Sequence, residues 1–177
     1  MAGPLPARQD MLPYPKHGGF DYVGCHQYFL TFCTWDRRPL FAHAEHVSLV
    51  ERHFLRTAKE FDFADLVHCF MSNHLYVLVE GRSPNADLRR FISRMKQYTG
   101  FYFKKEFGEA LWQRYGYEHL IRDDEVTSSV IRYVLENPVR ARLVATVSEY
   151  RFLGSSEYSL DQLLAFCQDV PSDGSSG

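Results

Sequence analysis

His74 and Tyr76 stand two residues apart in the apolar, alternating stretch MSNHLYVLVEG at 71–81. Residues two apart on a β-strand share a face, so an imidazole and a phenol project side by side. Polar rings on an apolar strand are costly to leave without partners, and the pair therefore marks a candidate site. A second pair lies in IRYVLENPVRARLV at 131–144, where Tyr133 and Asn137 are four apart. That spacing puts both on one face of a helix. Tyrosine can serve as a nucleophile and histidine as a metal ligand. On spacing alone, however, Tyr133 reads as well as a packed aromatic, Asn137 as a helix stop, and His74 as a structural histidine.

The elements that must position these residues follow from periodicity. Residues 28–34 read as a first strand and 35–39 as a loop. Residues 43–61 read as an amphipathic helix with Val47, Val50, Phe54, Ala58 and Phe61 along one stripe. Residues 65–71 and 74–80 form a hairpin around Ser72-Asn73. A two-residue turn sets Cys69 opposite Tyr76 and Met71 opposite His74, and faces His68 away from both. Ser83-Pro84 opens a second helix to about residue 105, with Ser or Asn as its cap and Gly100 as a weak point. Residues 117–122 read as a fourth strand. Asp123-Asp124 cap a third helix that ends near Asn137-Pro138, because proline disfavours helix at the residue before it. A short helix is expected at 159–167. The order β-α-β-β-α-β is that of a ferredoxin-like α+β domain, an antiparallel sheet with helices packed on one face, here followed by an extra C-terminal helix. The expected organisation is a loosely ordered segment 1–20, one domain at 21–158, and a short helix with a flexible tail at 159–177.

Composition narrows the class. At 177 residues and 45% hydrophobic content the chain suits one well-packed domain. No apolar run is long enough for a membrane span. The first twenty residues lack the apolar core of a secretory signal, so a cytoplasmic protein is expected. Cys25, Cys33, Cys69 and Cys167 show no metal-binding spacing and read as reduced, mostly buried thiols. The net charge of −2 is unevenly spread. Residues 1–81 carry 7 basic and 9 acidic side chains, 82–142 carry 12 and 8, and 143–177 carry 1 and 5. A basic middle block flanked by acidic ends suits a phosphate-backbone partner. Arg89, Arg90, Arg94 and Lys96, interleaved with Tyr98, Phe101 and Tyr102, are candidate phosphate and base contacts, as are Arg114, Arg132, Arg140 and Arg142. Phe91, Ile92 and Met95 read as core, and Trp112 as a structural anchor.

Five segments in order, YFLTFCTWDRRPLF (28–41), MSNHLYVLVEG (71–81), LRRFISRMKQYTGFYFKK (88–105), LWQRYGYEHLIRDDE (111–125) and RYVLENPVRARLV (132–144), together resemble the HUH-type tyrosine transposases, specifically the IS200-like group and its REP-associated branch. The resemblance implies single-stranded or hairpin DNA as partner and metal-dependent nicking and rejoining through a 5′-phosphotyrosine, as in DNA transposition. It implies Tyr133 as nucleophile, with His74 and Asn137 holding magnesium or manganese. It also implies a monomer, or a dimer that exchanges the tyrosine helix. The family pattern carries a second histidine where this chain has Tyr76, and a neutral phenol is a poor ligand for either metal. The alternative reading is therefore a hairpin-binding relative with impaired or lost cleavage.

Overall fold

The alternation in residues 63–81 folds in the expected register. β2 (Phe63–Met71) and β3 (His74–Gly81) pair antiparallel across Ser72-Asn73, with Met71 opposite His74 and Cys69 opposite Tyr76. The computed structural model describes residues 21–114, 117–121 and 127–168. Within them β1 (Gln27–Cys33) pairs antiparallel with β3, and β4 (Tyr117–Ile121) pairs with β1. A two-residue edge strand, β5 (Leu153–Gly154), adds to β2. The sheet order is β4-β1-β3-β2-β5. With α1 (Ala44–Glu60) and α2 (Leu88–Phe107), its first four strands make the ferredoxin-like unit.

Period two sorts the strand residues between two layers. Tyr28, Leu30, Phe32, Phe70, Leu75, Val77 and Val79 pack with Val50, Phe54, Phe91, Met95 and Phe103 of α1 and α2. Phe29, Cys69, Met71 and Leu78 pack instead with Val130, Ile131, Val134 and Leu135 of α3 (Thr127–Arg140) and with Leu163 of α4 (Leu160–Gln168). The expected helices on one face are α1 and α2, whereas the extra helices α3 and α4 cover the other. Coverage on both sides explains why every residue of β2 is buried. A fully buried Leu or Phe stabilises by roughly 1.5–3 kcal/mol. The α1/α2 layer, richer in such side chains, therefore dominates stability.

Two helix boundaries differ from the sequence reading. α2 begins at Leu88, capped by the Asp87 carboxylate, which accepts from the Arg90 N–H at 3.0 Å. Ser83-Pro84-Asn85 is a turn, closed by the Ala86 N–H donating to Ser83 O. Several cap-forming residues sit in this stretch, and the winner is set by strand-like pairing of Val23 with Asp87. α3 runs through Pro138 to Arg140. The proline forfeits only the bond its own N–H would have made. It is buried, and Leu143 N–H closes the final turn on its carbonyl. Gly100 does not interrupt α2, which ends at the left-handed Gly108. The expected Asp123-Asp124 cap and the terminal segments 1–20 and 171–177 lie outside the described residues.

His68 faces the α1 layer, as its parity requires. Its Nδ1 bonds Asp65 Oδ2 at 2.6 Å and its Nε2 bonds Glu51 Oε1 of α1 at 2.9 Å. Burial opposes its charge, but the two carboxylates reverse this and raise its pKa to about 9. The imidazolium thus sits between carboxylates from β2 and α1. Cys33 and Cys69 are buried and Cys25 is exposed, all as free thiols.

Gly81 ends β3 beneath the chain entering β1. A Cβ there would collide with the Gly24 carbonyl oxygen, which is backbone and cannot swing aside. Gly81→Ala should cost about 1–3 kcal/mol, read as a lower urea midpoint. An unchanged midpoint would show that the two segments are not held together.

Candidate active site

β3 turns His74 and Tyr76 toward α3, and α3 turns Tyr133 and Asn137 toward β3. The four half-buried residues meet on this sheet face. The His74 and Tyr76 rings are 4.6 Å apart and the Tyr76 and Tyr133 rings 6.0 Å, both edge to face. Phe29 of β1 floors the group, stacked on Tyr76 at 5.7 Å and edge-on to Tyr133 at 6.0 Å. His74 Nδ1 bonds Asn73 Oδ1 at 2.7 Å. With Nδ1 donating, Nε2 becomes the lone-pair nitrogen, and it is buried.

Tyr76 is the centre of the arrangement. Burial pushes its pKa up to about 12, and contact with the Tyr133 phenol, including a hydrogen bond, adds to the shift. Asn137 opposes it from the other side. The Asn137 Nδ2 is itself buried. A phenol held this far above neutrality stays protonated, and a protonated phenol is a weak metal ligand. Among the described residues no cluster of three or more His, Cys, Asp or Glu side chains could hold a metal. One imidazole, one carboxamide and one neutral phenol do not fit the hard divalent cation that the resemblance implies.

Arg140 is part of the site. Its guanidinium lies 4.4 Å from the Tyr133 ring centroid, and its Nη2 donates to Tyr133 O at 2.6 Å. Glu136 holds Arg132 at 2.9 Å and Arg140 at 3.4 Å. The other basic residues separate into two groups. Arg89 and Arg90, in the first turn of α2, lie over Tyr22 and Phe61, at the sheet end away from the 72–73 turn. Arg94 lies over Tyr98 and bonds Gln97. All three belong to the helix layer opposite α3, so the fold does not bring them to Tyr133.

Lys96 and Arg114 lie at the His74 end of the sheet, because the Gln113 N–H bonds the carbonyl of Cys33, the strand partner of His74. Lys96 is not a free phosphate contact. Its Nζ donates to Gln113 O at 2.7 Å and Arg114 O at 3.2 Å, and burial lowers its pKa. A helix-surface lysine four residues from Ile92 gave no sign of those carbonyls. Phe91, Ile92 and Met95 are core, and Trp112 is an anchor whose Nε1 donates to Thr99 Oγ1 at 2.7 Å. Of the interleaved aromatics, Tyr102 stacks on His53 of α1 at 4.3 Å, and Phe101 is exposed.

Asn73 and Thr34 also shape the site, and the sequence reading missed them. Thr34 is fully buried, and its N–H donates to Asn73 O at 3.0 Å. The turn that orients His74 is thus tied to the loop after β1. The only signal in sequence was the placement of Asn73 in a tight turn.

The family model described as Transposase IS200 like matches residues 22–137. A Haemophilus influenzae protein named as a REP-associated tyrosine transposase is 24% identical over 136 residues, spanning 71% of this chain and 77% of its own. A solved REP-associated tyrosine transposase bound to a REP hairpin superposes with a TM-score of 0.64 at 18% identity, covering 75% of this chain and 78% of that one. A solved transposase from Deinococcus radiodurans gives a TM-score of 0.49 at 18% identity over 67% of this chain and 95% of its own.

Proposed function

The chain belongs to the IS200-like transposase family, and from that premise we propose that it binds hairpin-forming single-stranded DNA and cleaves it weakly or not at all. The observation that carries this reading is Tyr76. A half-buried phenol with its pKa pushed up to about 12 fills the position of the family's second metal-binding histidine, pressed between His74, Tyr133 and Asn137. DNA binding is supported by the basic block at 82–142, by Arg140 beside Tyr133, and by the hairpin held by the solved relative. A monomer with its tyrosine in cis is the form that the resemblance to the REP-associated branch favours.

Tyr133 is the residue placed to attack a strand. Its hydroxyl oxygen would bond to phosphorus as the bond from phosphorus to the 3′ oxygen breaks, the phenolic proton would pass to water, and the leaving 3′ oxygen would take up a proton to become a free 3′ hydroxyl. The phosphotyrosine conserves the bond energy, so that hydroxyl can reverse the step. Arg140, over the Tyr133 ring, is placed to pair with the phosphate. No step is assigned to a metal, since the donors present do not fit one.

The test is to mix the protein with labelled hairpin DNA and manganese, scoring binding by anisotropy and attack by a covalent protein–DNA adduct. Binding with little or no adduct is expected. Tyr133→Phe should leave affinity within about twofold, since the substitution removes one hydroxyl, and should erase any residual adduct. A strong wild-type adduct lost in Tyr133→Phe would replace this reading with an active nicking and rejoining enzyme.

A further inference from the structure

Trp35 is half exposed, at 51%, whereas the other tryptophan, Trp112, is buried at 9%. It does not sit on a loose loop. Trp35 N–H donates to Leu111 O at 2.8 Å and Arg38 N–H donates back to Trp35 O at 3.1 Å. The preceding Thr34 locks the same loop to Asn73 O and, through its hydroxyl, to Arg38 O at 2.7 Å. The two residues that follow, Asp36 (φ 51°) and Arg37 (φ 54°), are both left-handed without being glycine. A surrounding structure that holds such backbone shapes does so most often where a ligand is clamped. The result is a solvent-facing indole on an anchored stretch of backbone, one hydrogen-bonded step from the turn that orients His74.

We propose that Trp35 is a stacking platform for an unpaired base of the DNA strand that runs past His74 and Tyr133. The assignment rests on the DNA-binding reading of that site. Charge complementarity selects a nucleic acid over an apolar partner. Arg37 and Arg114 are at the same end of the sheet, Asp36 is the acidic neighbour, and Glu109 is paired with Arg38. Stacking on an indole tolerates any base. Trp35 would therefore fix the register of the single strand rather than read its sequence.

The two tryptophans make the test direct. The full chain is titrated with a DNA hairpin carrying oligothymidine flanks and with the same hairpin lacking them, following anisotropy and tryptophan emission. The flanked hairpin should quench the exposed tryptophan, and Trp35→Phe should abolish that quenching. Trp35→Ala should weaken flanked binding roughly tenfold, within the range for one stacked base, and leave blunt-hairpin binding unchanged. Trp35→Phe should retain most of the affinity. Flanked binding with neither quenching nor a loss in Trp35→Ala overturns the platform while leaving the DNA-binding reading intact. No anisotropy change with either hairpin overturns both.

Discussion

Tyr76→His should raise manganese affinity by about ten- to a hundredfold or more, and should turn hairpin binding into cutting. Changes that only orient a metal ligand already cost ten- to a hundredfold, and this one restores a ligand outright. The phenol now occupying the position is held protonated with a pKa near 12. An imidazole has its lone pair available at neutral pH. The substitution gives up the Phe29–Tyr76 stack at 5.7 Å, a loss of about 1 kcal/mol that the larger α1/α2 core can absorb. Calorimetric titration with manganese reads the affinity, and the covalent adduct with labelled hairpin reads the cutting. Adding Tyr133→Phe to the Tyr76→His protein should remove the adduct and leave manganese affinity high. If the histidine variant binds manganese no better and forms no adduct, the missing ligand is not what holds cleavage down.

The largest loss of stability is expected from His68→Leu, at about 3–5 kcal/mol, because the buried Asp65 carboxyl, whose pKa burial already raises, would lose its partner and either stay an unpaired buried charge or take up a proton. For a domain of this size that is a fall in Tm of roughly 10 °C. Adding Asp65→Ala should recover part of the loss, since removing a buried charged group together with its partner is far less costly than removing one alone. The same group sets a pH dependence. The folded pKa of His68, about 9, lies above its ordinary 6.5. Its stabilisation is thus complete below about pH 6.5 and fades as pH rises through 9. Wild-type denaturation midpoints should fall across that window, and the fall should vanish in His68→Leu. Equal midpoints at both ends of the window in the wild type would mean that His68 is neutral in the fold.

The hairpin was legible because period-two alternation and a two-residue turn leave one register that buries both faces. That register assigned His74 and Tyr76 to one side and His68 to the other. The pairing of Tyr133 with Asn137 followed from helical spacing, whereas its approach to β3 was implied only by the family resemblance. Less legible was anything set by contacts distant in sequence. Asp87 outcompetes Ser83 as a cap because Val23 pairs with it. Pro138 stays helical because its ring is buried. Lys96 reads as a surface cation until the 113–114 carbonyls fold over it. The Glu51–His68–Asp65 bridge joins a helix to a strand, and no local pattern announces it. Nor does linear order reveal that Arg89, Arg90 and Arg94 lie on the layer opposite Tyr133.

The Ser72-Asn73 turn carries an implication for how this protein can change over generations. Because β3 alternates, losing or gaining one residue in the turn would swing Leu75 and Val77 toward α3 and drive His74 and Tyr76 into the aromatic core. Two carbonyls of the turn also hold neighbouring loops, through Phe41 and Thr34. Length here is therefore almost frozen, whereas the ring at position 76 can pass between histidine and tyrosine by a single base change in the codon. On the proposed reading, a lineage could give up cutting and regain it at that one position without disturbing the scaffold.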